Sequence, residues 1–336
     1  MSNTKIDINS PDFIVKLVEY FDEIYIRDLE QTYQSCETRI EVNPIKQPIN
    51  CVGCNLASYE YLYNQKQNTS YHCEQENFIY AVRTMPLHAE EIANAFFIND
   101  NQEFFALDFL KEKGKYGNEL NMASIGYACG TDVLGILKLL NFINTASKTY
   151  QDLHVLSQIQ QIQQLNVLRI DDQKENWDIS AQAVQHFIND FGYIKENFDF
   201  SVLNESEAYN DFCRHIDLFT LSYVYNELDK KEKIDIFNKI IELASTHFLI
   251  LINDYNAYSG SDHKLFINEF NEYCDNDFKL INSVRVDYNG EGASFKKAMN
   301  DWGWKLPNFE TISCRDKYRM KTNMKSICYI YEFERA

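Results

Sequence analysis

The chain is poor in glycine, proline and tryptophan, with 11, 5 and 3 of them in 336 residues. It is also poor in positive charge, because 32 lysines and arginines stand against 50 aspartates and glutamates, for a formal net charge of −18. A protein that binds nucleic acid over a large surface needs basic side chains to replace the counterions of the phosphates. The composition therefore argues against nucleic acid and favours a small-molecule, peptide or basic protein partner.

Long apolar runs are absent as well. No stretch approaches the ~18 consecutive apolar residues of a membrane span, and residues 1–9 carry no apolar signal segment. We therefore expect a cytoplasmic protein with no membrane partner. With 45% hydrophobic and 24% charged residues, the chain has the composition of a globular protein that buries a core.

The chain divides into two regions of different pattern. Residues 10–35 and 76–113 carry apolar residues at helical spacing, with a break expected near Pro86. From Leu120 onward, short apolar runs alternate with amphipathic segments. The runs are Met122–Ile125, Val167–Ile170, Leu218–Val224, Phe248–Ile252 and Ile327–Phe333. The amphipathic segments are 133–143, 178–190, 229–245 and 262–273.

This alternation is typical of an α/β fold, in which helices cover both faces of a doubly wound, mostly parallel sheet. We predict such a domain over residues 116–336. A helical N-terminal region over residues 1–115 would precede it and select the substrate.

Three of the 11 glycines fall within "MASIGYACGTDVLG", residues 122–135. Glycine permits positive φ and a close approach of the backbone to a ligand, and ligands of doubly wound sheets lie beyond the carboxyl ends of the strands. We predict a strand, then a turn flanked by Gly126 and Gly130 that lines a ligand. Thr131 and Asp132 would cap the next helix, and Gly135 would let that helix pack close to the sheet.

The second predicted strand, "LNVLRIDD", ends in Asp171 and Asp172. An acid at this point is placed either to hold the ribose hydroxyls of an adenosine-containing ligand or to cap the following helix. The glycine spacing matches neither the dinucleotide fingerprint G-x-G-x-x-G nor the phosphate loop. A nicotinamide-dependent oxidoreductase is therefore disfavoured.

Four segments in order resemble motifs of class I S-adenosylmethionine-dependent methyltransferases. They are "GYACGTDVLGIL" (126–137), "LRIDDQKENW" (168–177), "DLFTLSYVYNEL" (217–228) and "FLILINDYN" (248–256). The resemblance covers about 120–260 of the chain. It implies a Rossmann-like fold, S-adenosylmethionine as cofactor, and transfer of a methyl group to a small-molecule or protein acceptor.

The resemblance also implies roles for particular residues. The cofactor-binding residues would be Ser124, Gly126, Tyr127, Gly130, Asp132, Asp171, Asp172, Trp177 and Ser222. The candidates near the methyl group are Tyr223, Asn226 and Glu227, with Asn253 and Asp254 as further candidates. Packing is the alternative role for Tyr223, and a solvent-facing helix start is the alternative for Glu227.

One departure from the family keeps a second function open. Ser124 stands where the family usually has an acid that steadies the loop and the methionine amino group. The alternative is a non-catalytic, methyltransferase-like binding or scaffold protein.

A cysteine cluster lies in residues 36–73. Cys51 and Cys54 have the spacing of a zinc knuckle, with Cys36 before them and Cys73 after them. Two interpretations stay open: a structural zinc ion that staples this segment, or ordinary reduced thiols of a cytosolic protein. The isolated histidines, His88 among them, are interpreted as surface or core residues.

Overall fold

The computed structural model describes residues 5–26, 74–97, 104–149, 162–172, 174–194, 198–204, 215–225, 228–255, 259–274, 277–288 and 326–336, and the single residues 304, 312, 316 and 320. The described α-helices are α1 (Pro11–Phe21), which a π-helical turn (Asp22–Ile26) follows, α2 (Glu74–Ala95), α3 (Phe105–Tyr116), α4 (Thr131–Thr149), α5 (Lys174–Phe191), α6 (Lys230–Leu243) and α7 (Ser259–Tyr273). The described strands are β1 (Ile6–Asp7), β2 (Glu119–Ile125), β3 (Gln164–Ile170), β4 (Gly192–Tyr193), β5 (Asp199–Asn204), β6 (Ile216–Ser222), β7 (Ala244–Tyr255), β8 (Phe278–Asp287) and β9 (Ser326–Arg335).

Seven of the described strands form one sheet in the order β5-β3-β2-β6-β7-β9-β8. The first five run parallel, and β9 is antiparallel to both of its neighbours. Met122 lies opposite Val167 and Ile125 opposite Ile170, so the predicted pairing of β2 with β3 is confirmed. The predicted Rossmann-like α/β fold with a mostly parallel sheet is confirmed with it.

Side chains of the sheet alternate between two apolar clusters, one on each face. Leu120 and Met122 join side chains of α1, α2, α4 and α5 on the first face. Ala123 and Ile125 join side chains of α6 and α7 on the second face. Because Met122–Ile125 of β2 is buried on both sides, its sequence there does not alternate strictly between apolar and polar residues.

The N-terminal helices share the apolar cluster of the first face. Side chains of α1 and α2 belong to the same cluster as β2 and α4, and α2 packs directly on α4. A Cβ atom at Gly135 would lie 2.9 Å from both the Ala89 carbonyl oxygen and the Ile92 Cβ atom. Gly135 therefore allows α4 to approach α2, which corrects the prediction of a close approach to the sheet. The boundary at residue 115 stays a prediction.

The predicted helix break at Pro86 is wrong, because α2 continues through the proline. An interior proline removes one helix hydrogen bond and costs about 3 kcal/mol in isolation. Nearly every residue from Asn77 to Ala95 is buried, however, and this packing offsets the local cost. The Thr84 hydroxyl also donates to the Tyr80 carbonyl oxygen at 2.7 Å in the preceding turn.

Candidate cofactor and acceptor site

The turn after β2 has an unusual backbone. Gly126, Ala128 and Gly130 have φ values of 69°, 48° and 88°, so three of five consecutive residues are left-handed. The Gly126 amide donates to the Ile170 carbonyl oxygen at 2.8 Å, which ties the turn to β3. A Cβ atom at Gly126 would lie 2.8 Å from the Val224 Cγ2 atom. Glycine is thus required by the packing of the turn itself, whatever ligand the turn faces.

Asp171 holds the same turn from the end of β3. Its Oδ2 atom accepts a hydrogen bond of 2.8 Å from the Ala128 amide. This bond compensates for the strain of a non-glycine residue at positive φ. The Asp171 side chain is half-buried, whereas Asp172 is exposed. Of the two predicted ribose ligands, Asp171 is therefore the one that contacts the turn.

Asp132 turns its carboxylate into the protein beneath the turn. The residue is 4% exposed, and its Oδ2 atom accepts from the Ser124 hydroxyl at 3.5 Å. Burial raises the pKa of this carboxyl group, and the nearby hydroxyls of Thr220, Ser222 and Ser124 oppose that rise. No lysine, arginine or histidine in the described part of the chain pairs with it. Among the described residues the hydrogen bond that this carboxylate accepts is the long one from Ser124, so a bound cation would compensate the cost of burying its charge.

This geometry changes two expectations. Asp132 lies in the first turn of α4, and its carboxylate contacts the sheet, so the predicted helix-capping role is replaced by a contact with Ser124. The carboxylate that β2 lacks at Ser124 is brought to the same place from the neighbouring helix.

Two other residues of the turn, Tyr127 and Cys129, are buried, and burial favours their uncharged forms. Tyr127 is buried with the Arg169 guanidinium 5.2 Å from its ring centroid, and burial raises the pKa of its hydroxyl. Burial raises the pKa of the Cys129 thiol to about 11. A Cβ atom at Gly130 would lie 2.8 Å from the Tyr127 hydroxyl oxygen. The positive φ of Gly130 thus coincides with tight packing against the tyrosine.

Trp177 lies away from these contacts, in α5. It is buried in the first-face cluster, and its ring meets the Tyr80 ring of α2 edge-on at 5.5 Å. Its predicted contact with a cofactor stays a prediction.

The end of β6 differs from the prediction, because the strand stops at Ser222. Tyr223 follows with φ at 59°, and its amide donates to the Asn253 carbonyl oxygen at 2.7 Å. The Tyr223 ring stacks on the His88 ring at 3.9 Å with an interplanar angle of 12°. Backbone strain of this kind is common at functional sites, and the role of Tyr223 near a methyl group stays a prediction. The other two candidates, Asn226 and Glu227, lie outside the described residues.

The sequence did not indicate Glu91 of α2, which meets these strand ends. Its Oε2 atom accepts from the Tyr223 hydroxyl at 3.0 Å and from the Asn253 Nδ2 atom at 3.1 Å. Glu91 and Asn253 are both fully buried. The sequence separation between Glu91 and Asn253 is 162 residues. The available signal was local: two adjacent acids in the segment "LHAEEIANAF", which is otherwise suited to a core helix.

The adjacent acid, Glu90, anchors α2 to α4. Its Oε1 atom lies 2.6 Å from the Lys138 Nζ atom, and both side chains are at most 1% exposed. The Trp304 Nε1 atom donates to the second oxygen at 2.8 Å. This ion pair and tryptophan contact fix the helix that carries His88 and Glu91.

The predicted zinc ligands Cys36, Cys51, Cys54 and Cys73 lie outside the described residues. Within the described ranges, no cluster of three or more histidine, cysteine, aspartate or glutamate side chains is arranged to hold a metal ion. The described cysteines, Cys129, Cys274 and Cys328, are buried free thiols. None of the described helices combines the length and apolar character needed to cross a membrane.

Solved structures with a similar fold include several methyltransferases. A methyltransferase from Aquifex aeolicus, described as SAM-dependent, is 11% identical, with 73% of this chain and 98% of that chain covered and a TM-score of 0.35. The plantazolicin methyltransferase BpumL in complex with SAH is 10% identical, with coverages of 96% and 100% and a TM-score of 0.34. M. jannaschii TYW2 in complex with AdoMet is 9% identical, with coverages of 68% and 76% and a TM-score of 0.32.

No protein-family model matches the sequence, and no curated protein matches it. The Rossmann-like fold is established by the strand order itself, and the function proposed below is based on the geometry of the site.

Proposed function

We propose that the protein is an S-adenosylmethionine-dependent methyltransferase that acts on a small-molecule or protein acceptor. The observation that carries this proposal is the buried Asp132 carboxylate, which lies beneath a glycine turn and has no cationic partner among the described residues. S-Adenosylmethionine carries an α-ammonium group and a sulfonium, so it supplies the positive charge that this position lacks.

The charge of the site also discriminates among nucleotide ligands. A pyrophosphate would be placed at the N-terminus of the helix after the first strand. Here the first turn of that helix, α4, carries Asp132, whose charge would repel a phosphate. The site therefore favours an adenosine ligand with a cationic tail over NAD.

The residues fit the two ends of such a ligand. Asp132 would hold the ammonium group, with the hydroxyls of Ser124, Thr220 and Ser222 behind it. Asp171 would hold the ribose hydroxyls at the end of β3, a role supported by its place at the turn. Bound there, the cofactor supplies a methyl group on a good leaving group. The protein then contributes alignment and the removal of any acceptor proton.

Ligand titrations test the proposal. We expect S-adenosylhomocysteine and S-adenosylmethionine to raise the midpoint of thermal unfolding, whereas NAD should not. A ligand at 100 times its dissociation constant adds about 2.7 kcal/mol of stability, which thermal unfolding detects easily. Stabilisation by NAD alone would contradict the methyltransferase proposal and favour an oxidoreductase. If none of the three ligands stabilised the protein, the proposed cofactor site would be rejected.

The alternative function is a non-catalytic binding or scaffold protein that retains the fold. The argument for this alternative is that Ser124 stands where an acid is expected. The Asp132 carboxylate lies beside that serine and weakens the argument. Incubation with methyl-labelled S-adenosylmethionine and separated small-molecule and protein fractions of a lysate distinguishes the two. Label transferred to either fraction would support an enzyme and identify the acceptor class. Cofactor binding without transfer to any fraction would favour the scaffold.

A further inference from the structure

A polar layer crosses the first face of the sheet at its carboxyl edge. Ser222 of β6 is paired in register with Asn253 of β7, and Asn253 is paired with Cys328 of β9. The Ser222 hydroxyl lies near Asp132, and the Asn253 amide donates to Glu91. The two carboxylates therefore lie on opposite sides of one pair of neighbouring strand residues.

The electrostatic environment of Cys328 agrees with this placement of the two acids. Burial raises the pKa of the Cys328 thiol, and the charges of Glu91 and Asp132 both raise it further. One thiol thus lies within reach of both carboxylates. If Asp132 holds the cofactor ammonium, Glu91 lies farther along the carboxyl edge of the sheet, at the ends of β6 and β7 and on the side of Asp132 away from Asp171.

Asn253 provides the second observation. Its side chain is fully buried, its Nδ2 atom donates to Glu91, and its Oδ1 atom has no hydrogen-bond donor among the described residues. A buried amide oxygen without a donor is uncommon in folded proteins. It is satisfied if the ligand that enters the layer carries an N–H or O–H group.

On the basis of the proposed function, we propose that Glu91 and Asn253 form the acceptor side of the site, and that the acceptor is a nitrogen or oxygen nucleophile that carries a proton. The acceptor lone pair forms the new bond to the methyl carbon. The carbon–sulfur bond breaks, and its electron pair stays on sulfur. The acceptor proton passes to the Glu91 carboxylate, whose Oε2 atom is positioned by Tyr223 and Asn253.

Sinefungin tests this without knowledge of the acceptor. In sinefungin a carbon bearing an ammonium group replaces the methylated sulfur, so its cation points where the transferred methyl group would point. At this position S-adenosylhomocysteine has a neutral sulfur that carries neither a methyl nor an ammonium group. We expect the wild-type protein to bind sinefungin at least about tenfold more tightly than S-adenosylhomocysteine in titration calorimetry, because a charged hydrogen bond contributes this much or more.

Three variants locate the origin of that preference. Glu91→Gln should reduce it about ten- to a hundredfold while affinity for S-adenosylhomocysteine stays unchanged. Tyr223→Phe removes a donor to Glu91 and keeps the ring that stacks on His88, so the preference should stay or increase. Asp132→Asn should weaken both ligands equally and leave their ratio unchanged.

Several outcomes overturn the proposal. Equal affinity of the wild-type protein for both ligands would do so, as would a preference that survives Glu91→Gln. An equal loss in Glu91→Gln and Tyr223→Phe would show that Glu91 only supports the tyrosine. If Glu91→Gln does not fold, Asn253→Ser should lose part of the preference, and no loss would reject the proposal. Failure of the wild-type protein to bind either ligand would instead reject the proposed cofactor site.

Discussion

The two faces of the sheet differ in the side chains that they bury. The second face is packed with aromatic rings from α6, α7 and the strands. Among the described residues the first face has the larger apolar cluster, yet it also buries three acids near the carboxyl edge. They are Glu90, Glu91 and Asp132. Burying charge costs free energy unless a partner compensates it. Lys138 compensates the charge of Glu90 within the protein, whereas Asp132 pairs with no cation among the described residues. We therefore infer that the second face stabilises the fold, whereas the first face gives up some stability for binding.

The largest effect should come from the second face. Phe248 is fully buried, and its ring contacts the rings of Phe219, Phe278 and Phe333. Phe248→Ala leaves a cavity there and should reduce the free energy of unfolding by about 3–5 kcal/mol in chemical denaturation. The folded variant should bind S-adenosylhomocysteine as the wild-type protein does. A loss of affinity in the folded state would show that the two faces are not separate in function.

The second-largest effect should come from Asp132 and should have opposite signs for binding and stability. Asp132→Asn removes the charge that we assign to the cofactor ammonium. The dissociation constant for S-adenosylhomocysteine should rise about ten- to a hundredfold, since a hydrogen bond to a charged group contributes about 1.5–3 kcal/mol. The same change should stabilise the empty protein at pH 7, because it removes a buried charge.

The pH dependence of stability tests whether Asp132→Asn stabilises the empty protein. Burial raises the pKa of Asp132 in the folded state, so the folded protein holds this proton more tightly than the unfolded chain does. Between about pH 4, the ordinary value for aspartate, and the raised folded pKa, wild-type stability falls as pH rises. The stability advantage of Asp132→Asn should therefore vanish below about pH 4 and increase above it. An advantage that is the same at every pH would contradict this account.

A smaller effect is expected at Asp171, where two roles can be separated. Asp171→Asn keeps an oxygen that can accept from the Ala128 amide and loses the charge. It should weaken binding of S-adenosylhomocysteine about tenfold, near the lower limit for a charge-assisted hydrogen bond. Asp171→Ala loses the turn contact as well and should weaken binding further. The control is Asp172→Asn at the exposed neighbour, which should change nothing. A loss at Asp172 and none at Asp171 would exchange their roles.

The contrast between the faces also explains what the sequence could predict. The buried parallel strands, such as β2 and β3, were predictable because short, mostly apolar runs indicate burial on both faces. The sheet-edge strands β5 and β8 were not, because exposed and half-buried residues interrupt their apolar pattern. The glycine turn was also predictable from local sequence, because a backbone with positive φ favours glycine.

The acceptor side of the first face was not predictable from local pattern. Glu91 meets Tyr223 across 132 residues of sequence, and the packing of α2 on α4, α5 and β9 brings them together. Likewise, the position of Ser124 suggested a missing acid, because the sequence does not show that Asp132 points inward. Side-chain direction in the first turn of a helix depends on the tertiary structure and cannot be read from spacing.

The smallest effect belongs to the rim of the second face, where α6 begins. The Asp229 side chain accepts from the amides of Lys231 and Glu232, while the Glu232 side chain accepts from the Asp229 amide, which forms a capping box. Asp229→Ala should reduce the free energy of unfolding by about 1 kcal/mol, because two amides at the helix start lose their acceptor. Asp229→Asn, which keeps an accepting oxygen, is the matched control and should be nearly neutral. Neither variant should change the affinity for S-adenosylhomocysteine. If Asp229→Ala weakened binding while Asp229→Asn did not, the start of α6 would contribute to the site, and the assignment of all binding to the first face would be wrong.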